Sequence, residues 1–290
     1  MKGMITDIKR FAVHDGDGIR TTVFFKGCSL LCVWCHNPET IAFRPQMAFY
    51  ADKCAHCGSC AEICGCHSME NQRHAFNSAC CRGCGLCESA CLHDALQLYG
   101  KEYTVDTLMP LLSEDRDFYG DDGGITLSGG ECLCQIDFCE ALLKRCKEYG
   151  LNTAVDTCGN VPFSSFERVL PHTDTFLYDI KAIDERTHIR CTGHSNKHIL
   201  ENLRALDGLG AGIEIRIPYV PEYNSGEMEK IAAFVKELKN IRRVRVLPYH
   251  NYSKGRYAAL SMEDTLPGRL PEKEEIAAAE RFFDQREPSV

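Results

Sequence analysis

Short apolar runs at 21–27, 125–128, 152–156, 175–180, 212–217 and 243–247 read as strands, most of them suited to a sheet buried on both faces. Between them the pattern changes to that of amphipathic helices. Ile136, Leu142, Leu143 and Cys146 fall on one face, Ile199, Leu203 and Leu206 on another, and Ile231, Phe234, Val235 and Leu238 on a third. Ser164 and Glu167 stand at capping-box spacing ahead of a short helix. Strands alternating with helices predict an α/β fold built on a parallel sheet or partial barrel. The rhythm stops at 49–100, where apolar periodicity is weak and ten of the nineteen cysteines fall. That stretch reads as an inserted domain, dividing the core into 1–48 and 101–290.

Composition narrows the setting. The 290 residues are 44% hydrophobic and 26% charged, ordinary globular values for one large domain with a small insert. A formal net charge of -8 argues against nucleic acid as the main partner. No apolar run approaches the ~20 residues of a membrane span. The opening MKGMITDIKR leads into a strand-like stretch rather than the apolar core of a signal peptide. The expectation is therefore a cytoplasmic monomer without membrane contact. Nineteen cysteines in such a setting mean metal rather than a disulfide scaffold.

Their spacings say which metal. Cys28, Cys32 and Cys35 form C-x3-C-x2-C. Three thiolates in one tight loop can hold three irons of a cubane and leave the fourth iron open to an outside ligand. A zinc site completed by His36 is the rival, although structural zinc sites build from C-x2-4-C pairs plus a distant second pair. Cys54, Cys57, Cys60 and Cys64 form C-x2-C-x2-C-x3-C, and Cys81, Cys84, Cys87 and Cys91 repeat it. In this ferredoxin pattern the fourth cysteine of each run serves the other cluster. Cys54, Cys57, Cys60 and Cys91 are thus expected to hold one 4Fe-4S cluster, and Cys64, Cys81, Cys84 and Cys87 a second. Two zinc knuckles are the alternative. The proline that usually follows each run is missing, Gly65 and Leu92 standing there instead, and Cys66 or Cys80 could replace a neighbouring ligand. Cys139 and Cys146 read as small buried apolar residues. Cys132 and Cys158 have no assigned role, and no base is in sight to activate a thiol at Cys132.

The segment CSLLCVWCHNPE, preceded by DGDGIRTTVFFKGC, resembles the N-terminus of the glycyl radical enzyme activating enzymes, within the radical S-adenosylmethionine (SAM) superfamily. Asp17 replaces the proline of that family's usual DGPGIR. The resemblance runs on through SGGE (128–131), DTCG (156–159), YDIKAID (178–184), TGHSN (192–196), RIPYVPEYN (216–224) and VLPYH (246–250). It implies a partial (β/α)6 barrel interrupted by a ferredoxin-like insert, with three 4Fe-4S clusters and SAM as cofactors. The cluster of Cys28, Cys32 and Cys35 would take SAM as its outside ligand.

By the same resemblance, Gly129, Gly130 and Glu131 would receive the methionine amino group, and Lys181 its carboxylate. Asp156, Thr157 and Asp179 match positions that hold a monovalent cation. Trp34 sits where the family has an aromatic beside adenine, and His36, Ile180, Arg216 and His250 match further SAM-contacting or site-lining positions. Asp15 would lie near an incoming peptide loop. The bland readings are turn-forming aspartates, a satisfied core histidine and a flexible glycine pair.

The implied reaction is reductive cleavage of SAM to a 5'-deoxyadenosyl radical, which takes hydrogen from a backbone glycine of a partner glycyl radical enzyme. A flavodoxin- or ferredoxin-type protein would supply the electron. No residue is needed as general acid or base. One rival is a radical SAM enzyme acting on a small molecule. Another, of a different class, is a ferredoxin-like electron carrier, which the group at Cys28, Cys32 and Cys35 counts against.

Overall fold

Each of the six apolar runs is a strand in the computed structural model, which describes residues 1–283. In chain order the strands are β1 (Lys2–Ala12), β2 (Arg20–Phe25), β3 (Gln46–Phe49), β4 (His67–Glu70), β5 (Arg73–Phe76), β6 (Leu96–Tyr99), β7 (Lys101–Thr104), β8 (Gly124–Gly129), β9 (Asn152–Thr157), β10 (Thr175–Asp179), β11 (Ile213–Tyr219) and β12 (Ile241–Pro248). The main sheet runs β12-β11-β10-β9-β8-β2-β1-β7. Its first six members are parallel, each beside its predecessor in the chain, which is the order of a barrel. β1 and β7 extend the other edge antiparallel. β7 escapes the sequence pattern because only the edge of β1 needs it and its residues stay half or fully exposed.

The parallel sheet curls. β2 and β12 stand five strand spacings apart in the order, roughly 24 Å if the sheet were flat. Yet Asp17, just ahead of β2, forms an ion pair with Arg243 of β12 and lies 3.8 Å from Arg245. Both arginines also hold the buried Glu214 of β11, at 3.1 and 2.9 Å. Beyond the opposite ends of the same two strands, His36 and His250 stack with ring centres 3.9 Å apart. Side chains thus bring together strands that share no hydrogen bond, and the sheet is a partial barrel.

Helices cover its outer face. Ile136–Glu148 buries Phe138, Leu142 and Leu143 in the main core, with Cys139 and Cys146 packed among them as small apolar residues. Lys197–Gly208 buries Ile199, Leu203 and Leu206, and Met228–Lys236 buries Ile231, Phe234 and Val235. Ser164 and Glu167 do not cap a helix. They lie inside Phe163–Val169, which begins directly after Pro162, whose φ of -58° already suits a helix start.

The segment between β3 and β6 is built separately. These two strands pair only with each other, antiparallel, and β4 and β5 form a hairpin beyond them. Its two short helices, Ser59–Ile63 and Leu86–Ser89, follow Gly58 and Gly85, whose φ values of 83° and 81° repeat one local geometry at both cysteine runs. Glycine is the residue that adopts this left-handed turn without steric cost.

Arg20, 1% exposed, brackets the N-terminal end of the barrel. Its guanidinium donates to Thr126 Oγ1 at 2.7 Å, to the Ile125 carbonyl at 2.8 Å and to Asn152 Oδ1 at 3.0 Å. Arg20→Met keeps the packed stem but leaves these acceptors unpaired, at ~1–3 kcal/mol for each one that stays dry. Denaturant unfolding of the cluster-free protein should show a loss of about 2–4 kcal/mol. A loss under about 1 kcal/mol, the worth of one ordinary hydrogen bond, would deny the bracket.

Candidate active site

The cysteine loop leaves β2 through Gly27, in the left-handed region at φ 102°. Backbone bonds pin both its sides. Gly27 N donates to Thr40 O at 2.6 Å, Cys28 N to Ile41 O at 3.1 Å, Leu31 N to Thr192 O and Val33 N to Cys191 O, each at 2.9 Å. The turn after β8 closes over its start, with Gly130 N donating to Phe25 O and Glu131 N to Gly27 O. A Cβ on Gly129 would come within 2.2 Å of Phe25 N, and one on Gly130 within 2.4 Å of Gly27 O. The glycine pair is required by this approach of backbone to backbone, and both residues also line the cleft above.

That cleft is an open cavity of ≈ 460 Å³ at the C-terminal ends of the parallel strands. It gathers Cys28, Cys32, Cys35, Trp34, His36, Gly129, Gly130, Asp156, Thr157, Asp179, Lys181, Arg216 and His250 on one wall system, with Cys158 among them. Two positions singled out in the sequence do not line it. Ile180 packs into the main core. Glu131 is fully buried, and its carboxylate accepts from Leu133 N at 3.1 Å, Thr157 Oγ1 at 2.8 Å and Cys158 N at 2.8 Å. It ties the turn after β8 to the end of β9.

The charges in the cleft are paired, one pair at the end of β10 and the other between β11 and β9. Lys181 Nζ lies 2.7 Å from Asp179, and Arg216 Nη1 lies 3.2 Å from Asp156, which also accepts from Ser128 Oγ at 2.7 Å. Burial raises Asp156, Arg216 opposes it and Asp179 reinforces it, so its carboxyl is pushed up to about 6. Burial works to lower Lys181, but Asp179 with the thiols of Cys32 and Cys158 outweighs it and holds the amine above its usual value. Burial pushes Cys32 up to about 12 and Cys35 higher still, while a hydrogen bond from Cys158 lowers Cys28. Thiols so placed exchange their protons for a metal rather than for water.

Two buried nitrogens in the cleft have no partner, His36 Nε2 and His250 Nδ1, while Arg216 Nη1 has only its ion pair with Asp156. Burial and the neighbouring His250 push His36 down to about 4, and burial likewise lowers His250, so the stacked pair is uncharged near neutral pH. Trp34, 4% exposed, meets Tyr223 edge-on at 5.9 Å. Unfilled donors and acceptors beside flat rings suit a bound group with both polar edges and an aromatic face. Three thiols in one loop beside them suit a cubane with one open iron, and the cleft fits SAM on such a cluster.

Several braces carry no signal in the sequence pattern. Arg256 donates to the His36 carbonyl at 2.6 Å and to Glu39 Oε1 at 2.7 Å, while Ser253 and Tyr257 both donate to the Cys35 carbonyl. Asn196 of TGHSN donates to the carbonyls of Ala182 and Ile183, and Asn224 of RIPYVPEYN to those of Lys181 and Pro218. Those two asparagines hold the cleft's walls without lining it. Asp15 accepts from Thr22 Oγ1 at 2.8 Å near the barrel's interior.

In the insert, Cys54, Cys57, Cys60 and Cys91 line one small cavity together with His74. Cys87, raised to about 11 by burial, feels Cys64, Cys81 and Cys84 beside it. The fourth cysteine of each run therefore lies with the other run's three. Cys66 and Cys80 lie against each other, Cα atoms 5.8 Å apart. Cys132 is fully buried, with its thiol against the Leu127 carbonyl and raised well above its usual value, chiefly by burial. It does not line the cleft.

The profile of the radical SAM superfamily matches residues 22–235. The trans-4-hydroxy-L-proline dehydratase activating enzyme of Clostridioides difficile is 39% identical over 98% of this chain and 97% of its own length. The choline trimethylamine-lyase activating enzyme of Oleidesulfovibrio alaskensis is 37% identical, covering 92% and 90%. Among solved structures, SuiB of Streptococcus suis, bound to the precursor peptide SuiA, superposes with a TM-score of 0.52 at 12% identity, over 89% of this chain and 43% of its own. That likeness is one of fold.

Glu39 is 5% exposed, so Arg256→Ala leaves a buried carboxylate without its cation. Unfolding of the cluster-free variant should show a loss of about 2–3 kcal/mol, below the range for fully buried pairs because Arg256 itself reaches solvent. Adding Glu39→Gln should recover most of it. A single variant as stable as the parent would remove Arg256 from the support of the loop.

Proposed function

This chain belongs to the radical SAM superfamily and, within it, to the activating enzymes of glycyl radical enzymes, and from that premise we propose how its residues divide the work. The protein is an enzyme, and its substrate is a glycyl radical enzyme. When bound, a reduced cluster supplies one electron to the SAM sulfonium, releasing methionine and a 5'-deoxyadenosyl radical that takes a hydrogen atom from a backbone glycine of the partner. The observation that carries the assignment of residues is the cleft itself. Three cysteines of one loop face two unpartnered buried histidine nitrogens and two cation-held carboxylates across it.

Cys28, Cys32 and Cys35 hold the active cluster. Lys181 receives the methionine carboxylate, with Gly129 and Gly130 beside the amino group. Trp34, His36 and His250 form the adenine wall, and Arg216, paired with Asp156, lines the cleft beside the ligand. Asp156, Thr157 and Asp179 hold a monovalent cation, with Arg216 and Lys181 paired to the two carboxylates beside it. Glu131 orients Thr157 and Cys158 from behind. Residues 49–100 form a ferredoxin-like domain with two further 4Fe-4S clusters, on Cys54, Cys57, Cys60 and Cys91 and on Cys64, Cys81, Cys84 and Cys87. It takes electrons from a flavodoxin- or ferredoxin-type protein. The enzyme works as a cytoplasmic monomer. Among the described residues no helix is long and apolar enough to cross a membrane.

After anaerobic reconstitution the protein should bind about 12 irons, and the variant with Cys28, Cys32 and Cys35 replaced by Ala about eight. SAM cleavage should vanish in that variant, and persistent 5'-deoxyadenosine formation would refute the active cluster.

The partner supplies the second test. Mixed with its glycyl radical enzyme, the activated protein should produce a persistent glycyl doublet in electron paramagnetic resonance, lost when the partner's glycine becomes alanine. Asp15→Ala should weaken stimulation by a peptide bearing that glycine more than it weakens SAM binding. Turnover of a small molecule with every such partner silent would overturn the activase assignment.

A further inference from the structure

Two histidines of the β4–β5 hairpin lie outside every assignment above. His67 Nδ1 and His74 Nε2 are 2.9 Å apart, and the two residues are 4% and 8% exposed. The outer nitrogens, His67 Nε2 and His74 Nδ1, are buried without a partner. His74 lines the cavity of Cys54, Cys57, Cys60 and Cys91, and ring nitrogens of both histidines lie within 4.8 Å of Cys60 Sγ. The ring is held in place. Phe49 meets it edge-on at 4.5 Å, and the His74 backbone N–H donates to His56 Nδ1 at 3.1 Å.

We infer that His74 donates a hydrogen bond from Nδ1–H to the iron–sulfur cluster of Cys54, Cys57, Cys60 and Cys91 and thereby raises that cluster's reduction potential. The inference rests on the reading that these four cysteines hold a cluster. Two rings in hydrogen-bond contact in a dry site share one hydrogen, since two cations there would repel strongly. One arrangement has His67 donating to His74, which leaves a hydrogen on His74 Nδ1, the buried nitrogen without a partner. The other leaves a lone pair there. A cluster on four thiolates is anionic, so it selects the first arrangement and gives the buried donor its missing acceptor. A donor to cluster or thiolate sulfur favours the more negative, reduced state, which is how outer-shell hydrogen bonds tune such centres. Cys60 with His67 and His74 alone could instead bind a single metal ion, but that would strand Cys54, Cys57 and Cys91 around an unused cavity.

The test uses the full chain with Cys28, Cys32 and Cys35 replaced by Ala, so that every iron signal comes from the insert. Reconstituted protein should hold about eight irons. Four or none would sink the cluster reading itself, and zinc in place of four irons would give Cys60 to a mononuclear site and overturn the inference. With histidine labelled by nitrogen-15, electron–nuclear double resonance on the reduced insert should reveal a nitrogen coupling. Its absence overturns the hydrogen bond before any histidine is changed. In a redox titration, His74→Phe with full iron should lower the reduced-to-oxidised ratio about tenfold at the parent's midpoint, ~59 mV for a one-electron couple. His74→Asn, whose amide N–H can stand near Nδ1, should restore most of it. An unshifted midpoint in His74→Phe overturns the proposal, and should that variant lose its cluster, the coupling in the parent still decides.

Discussion

The site exists because the first and last strands of a six-strand parallel run are drawn together. Backbone hydrogen bonds fix only neighbouring strands, and nothing in that ladder makes β2 approach β12. Side chains do it at both ends, through Asp17 with Arg243 at one and the His36–His250 stack at the other. Arg256 adds a third tie, reaching from beyond β12 to the carbonyl of His36. Without this curl the cysteine loop after β2 and the histidine after β12 would face solvent on opposite edges. With it, they share one cleft at the strand ends, where barrel folds place their chemistry.

Within that cleft the residues divide into those that face the ligand and those that hold them still. Glu131 illustrates the second kind: a fully buried carboxylate whose acceptors are taken up by its own protein. Asn196 and Asn224 act likewise through backbone carbonyls on the stretch around Lys181. The facing residues, by contrast, keep nitrogens unsatisfied, which costs stability in a buried site and is repaid only by a ligand. The paired charges at Asp156 with Arg216 and Asp179 with Lys181 keep the cleft near neutrality while it waits.

The insert follows a different rule. It has only two small two-stranded sheets, and its apolar cluster is built around Met47, Cys87 and Leu96. So small a core cannot supply much burial energy, and the fold of the insert brings cysteines together from distant positions. The departures from the ferredoxin pattern are local. Gly65 and Leu92 stand where prolines are usual, while Cys66 and Cys80 meet at the base of the hairpin.

The chain's sequence by itself determined the α/β class, the six core strands and the three cysteine groups. Apolar runs can be satisfied only in a doubly buried sheet, and thiol spacing within one loop is a local matter of chain geometry. Local pattern was silent on contacts between residues far apart in the chain. It offered Glu131 and Ile180 as ligand residues, because a motif's order does not tell which way a side chain points. It placed Ser164 and Glu167 at a helix start that Pro162 had already taken. It passed over Arg256, which acts on a loop more than two hundred residues earlier, and His74, which shares a cavity with Cys91 only once the hairpin has folded back. Those placements came from the curl of the sheet and the closing of the insert, and only packing in three dimensions brings such distant positions within hydrogen-bond reach.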